Sequence, residues 1–546
     1  MPDFQSPIEA FLYWEAKAPN QVFLKQPQDD NHITYTYKEV GIQARKIASA
    51  LKSYNLPERS HIALLSKNCA HWIMADLAIM MAGYVSIPIY PTLNDKSINQ
   101  ILIHSDSKGI IIGKLDDLES QKKGIPDIPI IAVSEYNRNI GKSWEEIIEQ
   151  NSPIEDVYIP NHDDLHTIIY TSGTTGNPKG VMHTVSNFAV SSNTFVKVMN
   201  LPMHLRLFSY LPLAHVAERA LCNAGLFLGA SISFFDKMET FARDLENTQP
   251  HVFFAVPRIW TKFREKILNS MSQKKLNMFL NIPLLNVLVK NKLKQKLGLK
   301  SAVYIVSAAA PIASSLVKWY SRIGIKIHQG YGMTEDCCVS HFNLPQSHKI
   351  GTVGKTIIGA KAKLSPEGEI CIKNNCLMLG YYKSPEATAE VFDDEGYLKT
   401  GDIGEFDHDG FLTITGRVKD QFKTDKGKYI SPSHIELLLS SNTDIEQICI
   451  VGTGIPQPIA LITLSELGKV KSKDQLSESL LETVHTINPN LEKHEKLEKI
   501  VIMKEDWNVE NGLTTPSLKV KRNSIEKIHQ PYYKQWFDSS DNVIFE

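Results

Sequence analysis

The chain has 546 residues, 42% of them hydrophobic and 22% charged, and a net charge of -1 at pH 7. That length exceeds what one compact core accommodates, so two or more domains are expected. The composition is that of a globular protein rather than a disordered or membrane one, and the near-zero charge excludes a global attraction to nucleic acid; any electrostatic attraction has to be local.

The first residues, Met1-Pro2-Asp3-Phe4-Gln5, carry neither a positive n-region nor an apolar h-region, so no secretory signal is expected. Seven cysteines without regular spacing argue against a disulfide framework and against a zinc site. Cys337 and Cys338 read as buried thiols, and a cytoplasmic, reducing location is the expectation. The most apolar stretch, Ile73 to Tyr90, is interrupted by Asp76, Gly83 and Pro88. It predicts a buried helix over 72–81, a glycine turn and a core strand over 84–89, not a membrane span.

Uninterrupted apolar runs recur along the first part of the chain. Ile62-Ala63-Leu64-Leu65, Gly109-Ile110-Ile111-Ile112, Ile130-Ile131-Ala132-Val133, Val252-Phe253-Phe254-Ala255-Val256 and Ala302-Val303-Tyr304-Ile305-Val306 are separated by helical patterns. Strands without polar alternation belong in parallel sheets covered on both faces. From Lys361 the pattern changes to short strands and tight turns, with Asp394-Glu395-Gly396 and Asp407-His408-Asp409-Gly410 as turn signals. Beyond Arg417, Ile430-Ser431-Pro432 opens a helix and Ile448-Cys449-Ile450-Val451 forms a strand. The expected fold class is therefore α/β: a large N-terminal domain of parallel βα sheets plus a β segment (1–417), and a small α+β C-terminal domain (418–546).

Ile168-Ile169-Tyr170 runs directly into Thr171-Ser172-Gly173-Thr174-Thr175-Gly176-Asn177-Pro178-Lys179-Gly180. Glycines let successive backbone N–H groups converge on an anion, four hydroxyls add donors, and Lys179 adds a fixed positive charge. The spacing is not that of the P-loop, which needs four residues between its glycines and Ser or Thr after the lysine. These ten residues closely resemble the loop of the adenylate-forming (acyl-activating) enzyme superfamily, which includes acyl-CoA synthetases, luciferases and peptide-synthetase adenylation domains.

Further motifs follow in that superfamily's order. Gln329-Gly330-Tyr331-Gly332-Met333-Thr334-Glu335 resembles its second nucleotide motif. Chemically, Tyr331 offers a flat face to a base, Thr334 a hydroxyl to the α-phosphate, and Glu335 a hard oxygen ligand to Mg²⁺. The resemblance implies that Thr171 helps position the metal. Ser307-Ala308-Ala309-Ala310-Pro311 is similar to the small-residue strand end that lies beside the adenine in relatives, many of which have glycine where Ala308 stands. Tyr397-Leu398-Lys399-Thr400-Gly401-Asp402 resembles the ribose-binding motif of that superfamily; the carboxylate of Asp402 suits two sugar hydroxyls, and Arg417 supplies a fork of donors for ribose and phosphate. Leu211-Pro212-Leu213-Ala214-His215 resembles the motif whose histidine lies near the carboxylate pocket, which makes His215 a gate to the acyl site. Thr514-Thr515-Pro516-Ser517-Leu518-Lys519 resembles the C-terminal lysine motif, with Lys519 as the adenylation lysine and Lys521 as the alternative.

The resemblance spans residues 168 to 522. Val256-Pro257-Arg258-Ile259-Trp260 and Lys426-Gly427-Lys428-Tyr429-Ile430-Ser431-Pro432 look most like long-chain fatty acyl-CoA synthetases. It implies ATP, Mg²⁺ and CoA as cofactors and cosubstrates, a fatty acid as substrate, and a C-terminal domain that swings about a hinge at Lys419 between two half-reactions. A carrier-protein acceptor and a shorter or aryl acid remain as alternatives, with a non-enzymatic nucleotide-binding regulator as a third. No nucleic acid partner is expected, and a homodimer is compatible with the sequence. Residues 262–300 carry ten Lys or Arg and one acid, Glu265, interleaved with apolar residues. This predicts a basic amphipathic segment that meets the inner membrane surface peripherally.

Overall fold

A computed structural model describes residues 3–29, 31–136, 140–172, 178–515 and 519–546. Two large sheets build the N-terminal domain. The first, in spatial order, runs Gly380–Tyr381, Pro178–Thr184, Leu165–Ser172, Val85–Ile89, His61–Leu65, Gly109–Ile112, Ile130–Ala132 and Lys142–Ser143. It is parallel from Leu165–Ser172 outward. Every residue of Val85–Ile89 and Gly109–Ile112 is buried; Gly109–Ile112 accordingly reads as an unbroken apolar run, whereas Val85–Ile89 holds Ser86 and Pro88 within it.

The second sheet has nine strands, with Val22–Gln28, Ser231–Ser233, Arg206–Phe208, Val252–Ala255, Tyr304–Ser307 and His328–Tyr331 running parallel at its centre. Antiparallel strands are added at the edges of both sheets. The most consequential is Pro178–Thr184, which returns against Leu165–Ser172 with Thr171 opposite Lys179. Only five residues connect the two strands, far too few for the crossover a parallel pair requires. Strands Leu165–Ser172 and Pro178–Thr184 are thus the two arms of a hairpin. The antiparallel segment after residue 360 forms its own sheet of Ala360–Leu364, Glu369–Asn374, Leu398–Phe406 and Leu412–Arg417.

The apolar stretch near residue 80 is a buried helix, Ala70–Met81, followed by the strand Val85–Ile89. Among the described residues no helix is long and apolar enough to cross a membrane. A buried ion pair locks this helix to its neighbours: Arg219 donates to both carboxylate oxygens of Asp76 at 2.7 and 2.9 Å and to Thr167 Oγ1 at 2.7 Å. Breaking such a pair from one side costs roughly 3–5 kcal/mol, because the surviving charge is left buried and uncompensated.

The smaller C-terminal domain has a four-stranded sheet. Ile445–Val451 and Ile459–Leu464 pair antiparallel; Lys499–Ile502 and Val543–Phe545 extend the sheet in parallel. Its core joins Ile435 and Leu439 of helix Pro432–Leu439 to Leu480 and Val484 of helix Lys473–Ile487. An ion pair between Arg258 Nη2 and Glu446 Oε1, 2.5 Å apart, connects the two domains. All seven cysteines are free thiols; Cys337 is buried and Cys338 half-buried.

Candidate active site

Three sequence-separated segments converge on one group of polar side chains. The first is the hairpin Leu165–Ser172/Pro178–Thr184. Gly173, Thr174, Thr175 and Gly176 lie outside the described residues, as does the side chain of Ser172. Thr171 and Lys179 flank them on opposite strands, and Lys179 Nζ lies 4.6 Å from the ring centroid of Tyr381. Such a contact stabilises the ammonium through the ring's negative face.

The second segment leaves strand His328–Tyr331. Gln329 pairs with Ser307 of the neighbouring parallel strand, which puts the Ser307–Ala310 strand end beside the nucleotide motif. Gly332 sits so close to the Cys338 backbone that an added Cβ would stand 2.5 Å from its Cα. A glycine is required there for the chain to turn into the 3₁₀ helix Thr334–Asp336. Thr334 is buried, and its carbonyl accepts from His183 Nε2 at 2.8 Å. Glu335 is buried too; its Oε1 accepts from the Tyr381 hydroxyl at 2.9 Å. Burial raises the Glu335 pKa, while a backbone N–H, Tyr381, Lys179 and Arg417 draw it back down. Lys179, Tyr381 and Glu335 therefore form one connected group.

The third segment is the pair of strands Leu398–Phe406 and Leu412–Arg417, whose register places Asp402 opposite Arg417. Asp402 Oδ1 accepts from Arg417 Nε at 2.9 Å and Oδ2 accepts from the Tyr331 hydroxyl at 2.7 Å. Asp402 is buried, whereas the Arg417 side chain is 52% exposed. The carboxylate is thus fixed from both sides, with an open guanidinium beside it.

The left-handed residue at the Ser307–Pro311 strand end is Ala309, at φ 68°, and not the neighbouring Ala308. A side chain at positive φ costs about 1–2 kcal/mol, and the strain lies where the strand turns away from Gln329. Ala310 is exposed next to it. Cys337 and Cys338 also take positive φ, 50° and 61°, in the turn after Glu335.

His215 is the N-cap of helix Val216–Phe227, its Nδ1 accepting from Ala217 N–H at 3.2 Å. Burial first, and the charge of Lys519 second, push its pKa down to about 4. At neutral pH it is a neutral ring with a structural duty on one nitrogen.

Lys519 comes from the C-terminal domain. Its N–H donates to Thr515 Oγ1 at 3.1 Å, its carbonyl accepts from Thr515 N–H at 2.8 Å, and Thr514 bridges Val520. Pro516, Ser517 and Leu518 lie outside the described residues. The Lys519 side chain keeps contact with solvent, but crowded surroundings and then Arg417 lower its pKa, with Asp402, Cys338 and Glu335 acting in the opposite sense. The structure thus brings Lys519 into the electrostatic reach of Glu335, Asp402, Arg417 and His215. Lys521 is instead the N-cap of helix Arg522–His529, with its N–H on the Leu513 carbonyl. Lys419 is exposed in the 3₁₀ turn Val418–Asp420 that leads into the C-terminal domain.

Tyr381 is the residue that sequence reasoning missed. The only signal was its position in Gly380-Tyr381, a two-residue strand; its role emerges when that strand pairs with Val181 and Met182 next to Lys179. Among the described residues no three His, Cys, Asp or Glu side chains converge as a metal cage.

Known protein families match the chain over most of its length. The AMP-binding enzyme family matches residues 11–382, and the AMP-binding enzyme C-terminal domain matches residues 419–540. A long-chain-fatty-acid–CoA ligase 5 of Rattus norvegicus is 28% identical over 92% of this chain and 84% of its own. The long-chain-fatty-acid–CoA ligase FadD15 of Mycobacterium bovis is 27% identical over 94% of this chain and 93% of its own. The solved adenylation domain of a carboxylate reductase from Mycobacterium chelonae has the same fold, with a TM-score of 0.83 and 19% identity over 98% of this chain and 91% of that one.

Proposed function

Because the chain belongs to the AMP-binding enzyme family, we propose that it is a long-chain fatty acid–CoA ligase that forms AMP and pyrophosphate. The observation that carries this reading is the convergence of Lys179, Glu335, Asp402, Arg417 and Lys519 into one group, with Lys519 supplied by the second domain. The names of the relatives over nearly the whole chain support the long-chain substrate and the CoA acceptor.

In the first half-reaction a carboxylate oxygen of the acid attacks the α-phosphorus of ATP. The bond to the bridging oxygen of the β-phosphate breaks, and pyrophosphate leaves with an acyl-adenylate remaining. No general base is needed, since the acid is already ionised. Asp402 and Arg417 hold the ribose, Tyr331 lies against the base, and Lys179 with Lys519 offsets charge on the phosphates and carboxylate, which is catalysis by positioning and electrostatics. Glu335 and Thr171 would hold Mg²⁺. A hard cation beside Glu335 would favour the ionised form that burial disfavours, and Mg²⁺ takes few protein oxygens because phosphates and water complete its shell. When bound it supplies charge neutralisation. In the second half-reaction the CoA sulfur attacks the acyl carbon, the thiol proton is lost to solvent and AMP departs. We place the domain boundary after Arg417 and the hinge of the intervening swing at Lys419, with His215 as gate to the acyl site.

Pyrophosphate release over a panel of acids, with and without CoA, tests the proposal. Palmitate is expected to outperform acetate and benzoate steeply, since each buried methylene contributes about 0.8 kcal/mol. CoA thioester should accumulate in step with AMP. Acetate or benzoate turning over faster would overturn the long-chain assignment. Acyl-adenylate formation without thioester would point to another acceptor, such as a carrier protein.

A further inference from the structure

Residues 271–300 contain seven lysines and no acid, and the fold arranges them in an unusual way. Helix Gln273–Leu280 and helix Leu285–Lys296 pack on one another and are joined by a four-residue turn. At the turn, apolar side chains face water: Met278, Ile282, Leu284, Val287 and Leu288, with Leu284 82% exposed. Leu284 also takes φ 67°, so a bulky residue occupies a strained position without gaining any burial. The inner face has its own anchors, Val289 and Leu293, against the domain core. The exposed apolar groups are therefore not the packing face of these helices.

Charge is distributed along the pair as well. Lys274 and Lys275 begin the first helix and Lys292, Lys294 and Lys296 end the second, so these five lysines lie away from the turn that carries the apolar groups. Leu284, Leu288, Lys292 and Lys296 follow one another at four-residue spacing, the line of a single helix face. Among the described contacts only Lys296 of these five meets an acid, Glu246 at 3.4 Å. An apolar tip backed by a collar of lysines matches the cross-section of an anionic lipid surface, in which acyl chains lie about 5–10 Å below negatively charged headgroups. A water-soluble acidic protein would satisfy the lysines but not the tip, and a second copy of this chain, with net charge -1 overall, would satisfy the tip but not the lysines.

We propose that the helix pair Gln273–Leu280/Leu285–Lys296 docks the enzyme on anionic membranes, its tip in the acyl layer and its lysines on the headgroups. This goes beyond the ligase reading and stands independently of it. The test is vesicle flotation of the full chain with phosphatidylcholine alone and with added phosphatidylglycerol, using wild type, Leu284→Ser/Leu288→Ser, and Lys274→Gln/Lys275→Gln/Lys292→Gln/Lys296→Gln. Thermal unfolding of each variant checks that the fold survives. Wild type is expected to float only with anionic vesicles and to lose binding as salt rises. The lysine variant should bind about 10²- to 10³-fold more weakly, at roughly fivefold per lysine, and the leucine variant should also be released. Wild type remaining unbound overturns the proposal, as does binding unchanged in either folded variant. If light scattering shows wild type to be a dimer that the leucine variant splits, with vesicle binding unaffected, the tip is instead a self-association surface and the proposal fails.

Discussion

The two sides of the proposed active site are built differently. On the N-terminal side the polar groups are interlocked: Tyr331 and Arg417 both bond Asp402, and Tyr381 joins Lys179 to Glu335. On the C-terminal side Lys519 is held through its backbone, on a two-residue bridge closed by Thr515, and among the described residues nothing hydrogen-bonds its Nζ. One side is pre-organised, and the other delivers a charge on a flexible stem. A nucleotide needs a fixed frame, whereas a group used in only one half-reaction has to be withdrawn, and lysine suits withdrawal because it is a compact charge that needs no bidentate fit.

The largest effect should come from the delivered side. Lys519→Ala is expected to slow acyl-adenylate formation on the order of 10²- to 10³-fold, while thioester formation from pre-made acyl-adenylate and CoA stays near normal. Lys521→Ala, on the helix cap, should stay within about threefold. Equal loss of both half-reactions in the Lys519 variant would erase the contrast between the two sides.

On the fixed side, Tyr381→Phe keeps the ring under Lys179 and removes the hydroxyl bonded to Glu335. A hydrogen bond to a charged group is worth about 1.5–3 kcal/mol, so adenylation should fall at least about tenfold and demand more Mg²⁺. Titrating pyrophosphate release against Mg²⁺ measures both, and a curve identical to wild type would detach Tyr381 from the site. Smaller still is the contact between the sides. Glu446→Gln breaks the ion pair with Arg258, which is 37% exposed, so its loss is limited to about 1 kcal/mol, or roughly fivefold. That loss should fall on adenylation and leave thioester formation unslowed; the reverse pattern would mean that the pair belongs to another conformation.

How much of this was legible in the sequence depends on the range of the interaction. The buried strands Gly109–Ile112 and Val252–Ala255 were readable because a strand covered on both faces has no polar position to interrupt it. Asp402 and Arg417 were readable as residues, and the short turn between their strands makes their pairing local. Tyr381 was not, because it meets Lys179 through strand pairing across some 200 positions of chain. The division of the strands between two sheets was equally hidden, since a buried run has the same composition in either. Nor could the alanine run Ala308-Ala309-Ala310 announce which residue turns left-handed; that is decided by where strand Tyr304–Ser307 ends against Gln329.

The smallest effect on turnover should come from Glu218, on the helix that His215 caps. Glu218 is buried, its Oε1 accepting from Tyr210 N–H at 3.1 Å, and burial pushes its pKa up to about 8 despite hydrogen bonds from Ser209 and Tyr210 that oppose the shift. The folded protein therefore keeps this carboxyl protonated where the unfolded chain, with an ordinary value near 4.5, has released its proton. Because the native state binds more protons, the stabilisation from this group is complete below about pH 4.5 and is lost progressively as pH rises toward 8. Glu218→Gln has the shape of the neutral acid and cannot ionise. Near pH 7 it should leave pyrophosphate release within about twofold of wild type. Between pH 5 and pH 8.5 its stability relative to wild type, from urea unfolding at each pH, should rise by an amount on the order of a few kcal/mol. A difference that stays flat across that range would mean that Glu218 is ionised in the native state, with a cation or water that offsets its charge.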